Sequence, residues 1–390
     1  MKIAELTAFH VRLTLRKPVR HASYTRSATD NLIVRCVLED GTEGFGEGVP
    51  REYVTGETLD SALDLLQRSD LAAQLGEPCR DFAQAVTVAE RFQPAAVPGD
   101  DRGCQGNAAR CAVELAFLDA FGRHFGQPLS AVTGLLAPEL AERHDWVRYS
   151  GVITSARGWK MRLAAWRMRV YRFPHVKIKV GIAGYDDVLR LKVVRGRVLS
   201  KVELRVDTNE AWSPAEAAER ILALEPYCIS AVEQPVAHAQ VQALTDIRRQ
   251  VHTPIMLDES LTSRVDAERT VADGTCDLFN LRLSKCGGFI PTLRLAEFAR
   301  QHGLGYQLGC QVGESALLSA AGRHFASSVA GIRFLEGSYD RHLVREALGK
   351  ADITFGWGGW APALAGPGLG VQIDPEALNR LTVRKEPLLG

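Results

Sequence analysis

Five polar side chains, Lys179, Asp207, Glu233, Asp258 and Lys285, recur along the chain at steps of 28, 26, 25 and 27 residues. Each step is the length of one strand, one helix and two short loops. If each residue ends one strand of a parallel barrel, all five meet at the mouth where such barrels keep their chemistry. Three carboxylates in one pocket repel one another strongly, and a divalent cation removes that repulsion. Ligation by oxygen alone favours Mg2+, with Mn2+ the alternative, over zinc, which takes nitrogen and sulfur. The expected metal ligands are therefore Asp207, Glu233 and Asp258. Each closes a short apolar run: Arg205-Val206-Asp207, Ala231-Val232-Glu233 and Met256-Leu257-Asp258.

The run Val176-Lys177-Ile178-Lys179-Val180 alternates, which puts Lys177 and Lys179 on one face of a strand. The apolar face suits a helix layer, so the lysines point into the barrel, where a buried ammonium needs a function. Neighbouring ammonium groups lower each other's pKa. Lys179 is thus the expected neutral base and Lys177 its charged companion. Lys285, in Leu283-Ser284-Lys285, is read as ending strand six on the opposite wall. The chemistry implied is removal of the proton next to a substrate carboxylate, with the metal and Lys177 stabilising the enediolate. A lysine on each face would let the proton return from the other side and invert the centre. Alternatively, a leaving group departs, or an internal carboxylate adds and is expelled.

These side chains need a frame of alternating elements. From about residue 148, strand candidates (149–153, 175–180, 203–207, 229–233, 255–258, 278–283, 306–310 and 332–335) alternate with helical segments. Eight strands with seven intervening helices predict a (β/α)7β modified TIM barrel. Residues 1 to about 130 read differently: strands, an Asp40-Gly41 hairpin turn, then helices, which is an α+β unit capping the barrel. The predicted division is 1–130 for this cap, 131–340 for the barrel, and a Gly- and Pro-rich tail, 341–390, returning to the cap. The 390 residues carry a net charge of +1, so no nucleic-acid or anionic-membrane footprint is expected. No apolar run approaches the ~18 residues of a spanning helix, and the start lacks a signal-peptide core. Eight cysteines without a CxxC pair suggest neither a disulfide framework nor zinc, and the expected setting is the cytoplasm.

The chain resembles the enolase superfamily, specifically its muconate-lactonizing-enzyme-like subgroup within the mandelate racemase/muconate lactonizing enzyme family. The resemblance rests on Lys177-x-Lys179, Asp207-Thr208-Asn209, Glu233-Gln234-Pro235, Asp258-Glu259-Ser260 and Ser284-Lys285-Cys286-Gly287-Gly288, and it spans almost the whole chain. It implies a capping α+β domain, the barrel and Mg2+. It also implies substrate-binding roles for Asn209 and Glu259, and two specificity loops in the cap. The matching stretches are residues 17–27, with Tyr24, and residues 50–58, with Tyr53. Dipeptide epimerases carry Asp-x-Asp at the end of strand eight. This chain has Glu336-Gly337-Ser338 there, and Glu336 hints at a cationic group on the substrate. The expected function is a racemase or epimerase of an amino-acid derivative or dipeptide. The alternatives are a muconate-type cycloisomerase, an o-succinylbenzoate-synthase-like dehydratase, or a non-catalytic binding protein on an inherited barrel. The partner expected is a small carboxylate, and the assembly expected is a homo-oligomer.

Overall fold

The computed structural model of the chain describes residues 1–20 and 25–390. Three antiparallel strands open it: β1 (Ile3–Arg20), β2 (Thr25–Leu38) and β3 (Glu43–Gly48). The tight connection between β2 and β3 turns at Gly41, whose φ of 84° suits glycine. Helices α1 (Glu52–Thr55), α2 (Leu59–Arg68), α3 (Leu71–Leu75), α4 (Phe82–Arg91), α5 (Asn107–Phe125) and α6 (Ala131–Leu136) follow. Helix α5 is buried on nearly every side, which is why small and apolar residues fill it so evenly. One face lies against β3 so closely that a Cβ on Gly46 would stand 2.1 Å from the Ala112 carbonyl oxygen. Glycine at 44, 46 and 48 is what lets the strand lie on the helix backbone.

After the short strand β4 (Trp146–Arg148) the alternation begins. In order come β5 (Gly151–Ile153), α7 (Gly158–Val170), β6 (His175–Lys179), α8 (Asp187–Arg195), β7 (Glu203–Asp207), α9 (Pro214–Leu224), β8 (Ile229–Glu233) and α10 (Leu244–Gln250). Then come β9 (Ile255–Leu257), α11 (Arg264–Asp273), β10 (Leu278–Leu281), α12 (Phe289–Gln301), β11 (Gly305–Leu308), α13 (Ala316–Ser328) and β12 (Ile332–Leu335). The strands β5 to β12 form one parallel sheet in chain order. Its two edges meet where the Ser150 amide donates to the Leu335 carbonyl at 2.8 Å. The fold is the expected modified TIM barrel, with seven helices linking the eight strands among the described residues.

Inside the barrel the side chains are layered. Ala231, Met256, Leu278 and Phe334 form a small apolar cluster of their own. Two residues further along the same strands stand Glu233, Asp258, Asn280 and Glu336, so period two carries each strand from an apolar floor to a polar mouth. The tail contributes α14 (Asp340–Leu343), β13 (Trp360–Pro362), α15 (Pro375–Leu381) and β14 (Thr382–Leu389). β13 pairs with β4, and β14 pairs antiparallel with β1, completing the sheet β14-β1-β2-β3. Among the described residues no helix is long and apolar enough to cross a membrane.

Candidate active site

Register brings the polar residues together. Lys179 pairs with Asp207 across β6 and β7, and Asp207 with Glu233 across β7 and β8. Asp258 follows β9 directly. The chain leaves these strands through backbone that side chains rarely adopt: Asn209 has φ 45° and Gln234 φ 41°. Gln234 is used to place Asp258, because its Oε1 accepts the amides of Asp258 at 3.0 Å and Ser260 at 3.1 Å.

Lys177 sits at the centre of the acids. Its Nζ is 2.9 Å from both oxygens of Glu336, 3.3 Å from Asp207 Oδ2 and 3.3 Å from Glu233 Oε2. Burial alone would lower its pKa, but Glu233, Glu336 and Asp207 together outweigh it and hold the ammonium well above its ordinary value. Lys177 is charged. Lys179 is the more open of the two, with its side chain 26% exposed against 6%. Its Nζ donates to Asn209 Oδ1 at 2.6 Å and lies 3.8 Å from Asp207 Oδ2.

Glu336 is buried, and its charge is spent inside the protein. Arg205, on β7, hydrogen-bonds it as well as Lys177. These two cations outweigh burial and hold its carboxyl below the usual range. Both oxygens of Glu336, expected to face a cationic group of the substrate, face cations of the chain itself.

The opposite wall also differs from the sequence reading. Pairing of β10 stops at Leu281, and the first residue beyond it is Arg282. The Arg282 Nη2 hydrogen-bonds Asp258 Oδ2 and lies 3.7 Å from Glu233 Oε1. Lys285 lies further along the loop with its side chain fully buried. Its Nζ donates to Asp258 Oδ1 at 2.8 Å and to the carbonyl oxygens of Asp258 at 2.7 Å and Asn280 at 2.8 Å. Three acceptors saturate an ammonium group. Lys285 thus braces Asp258 from behind, and the cation at the wall is Arg282.

The loop that carries Lys285 is the point where the cap grips the barrel. The Val49 amide donates to Ser284 Oγ at 2.7 Å, Asn107 Nδ2 to the Lys285 carbonyl at 2.6 Å, and Arg110 Nη1 to the Gly287 carbonyl at 2.8 Å. A Cβ on Gly288 would meet Glu114 Oε1 at 2.4 Å. Glu114 accepts the Ile290 amide at 3.0 Å in the first turn of α12. The N-terminus of α12, just past Gly287-Gly288, is thus met by a carboxylate of the cap itself.

Of the other expected residues, Asn209 bridges the site. It accepts from Lys179, and its Nδ2 is 3.4 Å from Glu259 Oε1. Glu259 is buried, with its Oε2 unpartnered among the described residues, and burial with the charge of Asp258 pushes its pKa well up. Tyr53 lies half-buried in α1. Tyr24 lies outside the described residues. Arg205, Asn280 and Arg282 were missed, although alternation along their strands was signal enough. Arg205 shares parity with Asp207, and Arg282 with Asn280 and Leu278, whereas Lys285 shares parity with the outward Leu281 and Leu283.

The donor chemistry suits a hard dication. Asp207, Glu233 and Asp258 offer oxygen alone. Burial and then the negative charge of Asp207 push the Glu233 carboxyl upward, which is the repulsion a dication relieves. Among the described residues no group of three or more His, Cys, Asp or Glu side chains is already arranged to hold a metal ion. Lys177 stands between Asp207 and Glu233, and Arg282 between Glu233 and Asp258.

Comparison with known proteins adds the following. Residues 3–134 match the mandelate racemase / muconate lactonizing enzyme N-terminal domain, and residues 160–377 match the enolase C-terminal domain-like family. N-succinyl-L-Arg/Lys racemase of Bacillus cereus is 29% identical over 388 residues, covering 98% of each chain. Its crystal structure superposes with a TM-score of 0.84 at 28% identity, over 99% of this chain and 100% of that one. A hydrophobic dipeptide epimerase of Enterococcus faecalis is 29% identical over 331 residues, 84% of this chain and 88% of the relative. The dipeptide epimerase of Cytophaga hutchinsonii, crystallised with Mg and the dipeptide D-Ala-L-Val, has a TM-score of 0.83 at 27% identity and covers 100% of both chains.

Proposed function

The chain belongs to the mandelate racemase/muconate lactonizing enzyme family of the enolase superfamily, and from that premise we propose an isomerase that moves the proton alpha to a carboxylate of an amino-acid derivative or dipeptide. The observation that carries this reading is the position of Lys179: a partly exposed amine at a strand end, 3.8 Å from Asp207. The relatives support the substrate class, being an N-succinyl-amino-acid racemase and two dipeptide epimerases.

Asp207, Glu233 and Asp258 would hold Mg2+, which when bound supplies Lewis-acid charge to the substrate carboxylate. Lys179 takes the alpha proton onto Nζ, and Asn209 orients that amine through its Oδ1. Lys177, kept charged by its three carboxylate neighbours, meets the negative charge that develops as the proton leaves. Racemisation needs a second proton donor on the opposite wall. Lys285 is the only lysine there among the residues first expected to act, and its amine is enclosed.

A second reading follows from Arg282. A guanidinium stays protonated in proteins, so a wall lined by Arg282 favours chemistry from one face alone, as in cycloisomerisation or dehydration. Incubating the protein with Mg2+ in D2O and a library of N-succinyl-amino acids and dipeptides separates the two. Inversion accompanied by deuterium at the alpha carbon supports the racemase or epimerase. Deuterium with retained configuration supports one-faced chemistry. If no library member exchanges and Lys179→Ala behaves as wild type, the proton-transfer reading fails.

A further inference from the structure

Arg282 has an incomplete set of contacts for a buried arginine. Its side chain is 11% exposed, its Nη2 engages Asp258 Oδ2 and approaches Glu233 Oε1 at 3.7 Å, and its Nε has no partner among the described residues. The atoms it covers are those a shared cation needs. Asp258 Oδ1 is already taken by Lys285 at 2.8 Å, which leaves Oδ2 as its other donor. Glu233 Oε1 is held at 2.8 Å by Asn280 and otherwise faces Arg282 and Lys177. A dication seated on those oxygens has to displace the cation that now covers them. Lys285 is fixed by two backbone carbonyls and Lys177 by three carboxylates, whereas Arg282 makes one carboxylate hydrogen bond and one approach of 3.7 Å.

We propose that Arg282 is an internal competitor for the metal site: its guanidinium occupies Asp258 Oδ2 and Glu233 Oε1 in the metal-free protein, and a divalent cation binds there only as Arg282 withdraws. This rests on the reading that Asp207, Glu233 and Asp258 hold the ion. The competition keeps the carboxylates paired without metal and weakens cation affinity by the strength of the contact that must break.

The test is Mn2+ binding to the purified, chelator-treated full chain, followed by calorimetry and by the loss of the free-ion electron paramagnetic resonance signal. Arg282→Gln removes the competing charge and is expected to bind Mn2+ at least about tenfold more tightly than wild type. Arg282→Lys keeps a charge on a shorter stem and is expected to fall between the two. Arg282→Gln also leaves Asp258 Oδ2 uncovered, so its metal-free thermal midpoint drops, and Mn2+ raises that midpoint by more than it does in wild type. If Arg282→Gln, or Arg282→Lys should only that variant fold, binds Mn2+ no more tightly than wild type while Asp207→Asn abolishes binding, the competition is refuted and the metal site stands. If wild type and both variants all leave Mn2+ free, the metal reading fails and the competition with it.

Discussion

Lysines 177, 179 and 285 share a residue type and differ in what surrounds each amine. Lys177 is locked as a cation by three acids, Lys285 is saturated by three oxygens, and Lys179 keeps a partly exposed side chain. Replacing each should therefore fail in a different way. Lys179→Ala is expected to lower solvent-deuterium incorporation by about 10²–10⁴-fold while leaving Mn2+ binding and the thermal midpoint near wild type, since it removes proton transfer alone. Lys285→Met is expected to act through stability. It strips a buried cation from Asp258, a change worth about 3–5 kcal/mol when one partner of a buried pair is lost, and thermal unfolding should show it before any kinetic assay does.

Helix ends carry the next level of organisation, because several helices are capped by carboxylates from elsewhere in the chain. Gly106 and Gly288 begin α5 and α12 without a side chain to offer. Glu57 accepts the Ala108 amide at 3.0 Å, and Glu114 accepts the Ile290 amide. Glu47 serves the start of α13, taking the amides of Ser315 at 2.9 Å and Leu318 at 3.0 Å. Burial pushes the Glu57 carboxyl up from 4.5 to about 7, against the hydrogen bonds from Thr55 and Ala108 that favour its charge. With its folded pKa above the unfolded one, the native state binds the extra proton between pH 4.5 and about 7. This group's contribution is thus fully present below that window and is lost as pH rises through it. Glu57→Gln has nothing to titrate there. Its thermal midpoint minus that of wild type should grow more positive from pH 4.5 to 7 and level off above, as a matched series of melts would show.

The same level explains what the sequence could not tell. The β/α rhythm and the inward parity of Lys177, Lys179, Asp207, Glu233 and Asp258 were legible because alternation ends where each strand ends. In Leu278-Phe279-Asn280-Leu281-Arg282-Leu283 the alternation continues two residues past the last paired one. Apolar pattern therefore hid the strand's end, and Lys285 was read as a rim residue when it belongs to the loop beneath the cap. Glu336 was correctly read as lying at the end of strand eight. Its partners came from β6 and β7, a tertiary meeting that spacing along one strand does not encode.

For the whole molecule, first and last segments are joined. β14 pairs with β1 from Leu6 to Val11, so the final residues belong to the cap's own sheet. Deleting residues 382–390 should uncover the β1 edge, lower the midpoint of cap unfolding and promote aggregation, which limited proteolysis and light scattering would report. Tight seating of β3 on α5 gives a second check. Gly46→Ala puts a methyl group 2.1 Å from a backbone oxygen, a clash expected to cost about 1–3 kcal/mol or more.

The apolar layer of Ala231, Met256, Leu278 and Phe334 has a further consequence. It stoppers the barrel from below, so an isotope lifted from the substrate by Lys179 has nowhere to wash out except upward, past the cap. Because the Lys179 side chain is partly exposed at that end, tritium placed at the alpha carbon should pass to water during turnover rather than return to unconverted substrate. Substituting a polar side chain for Met256 should leave that loss unchanged, because the way out lies above the layer and not through it.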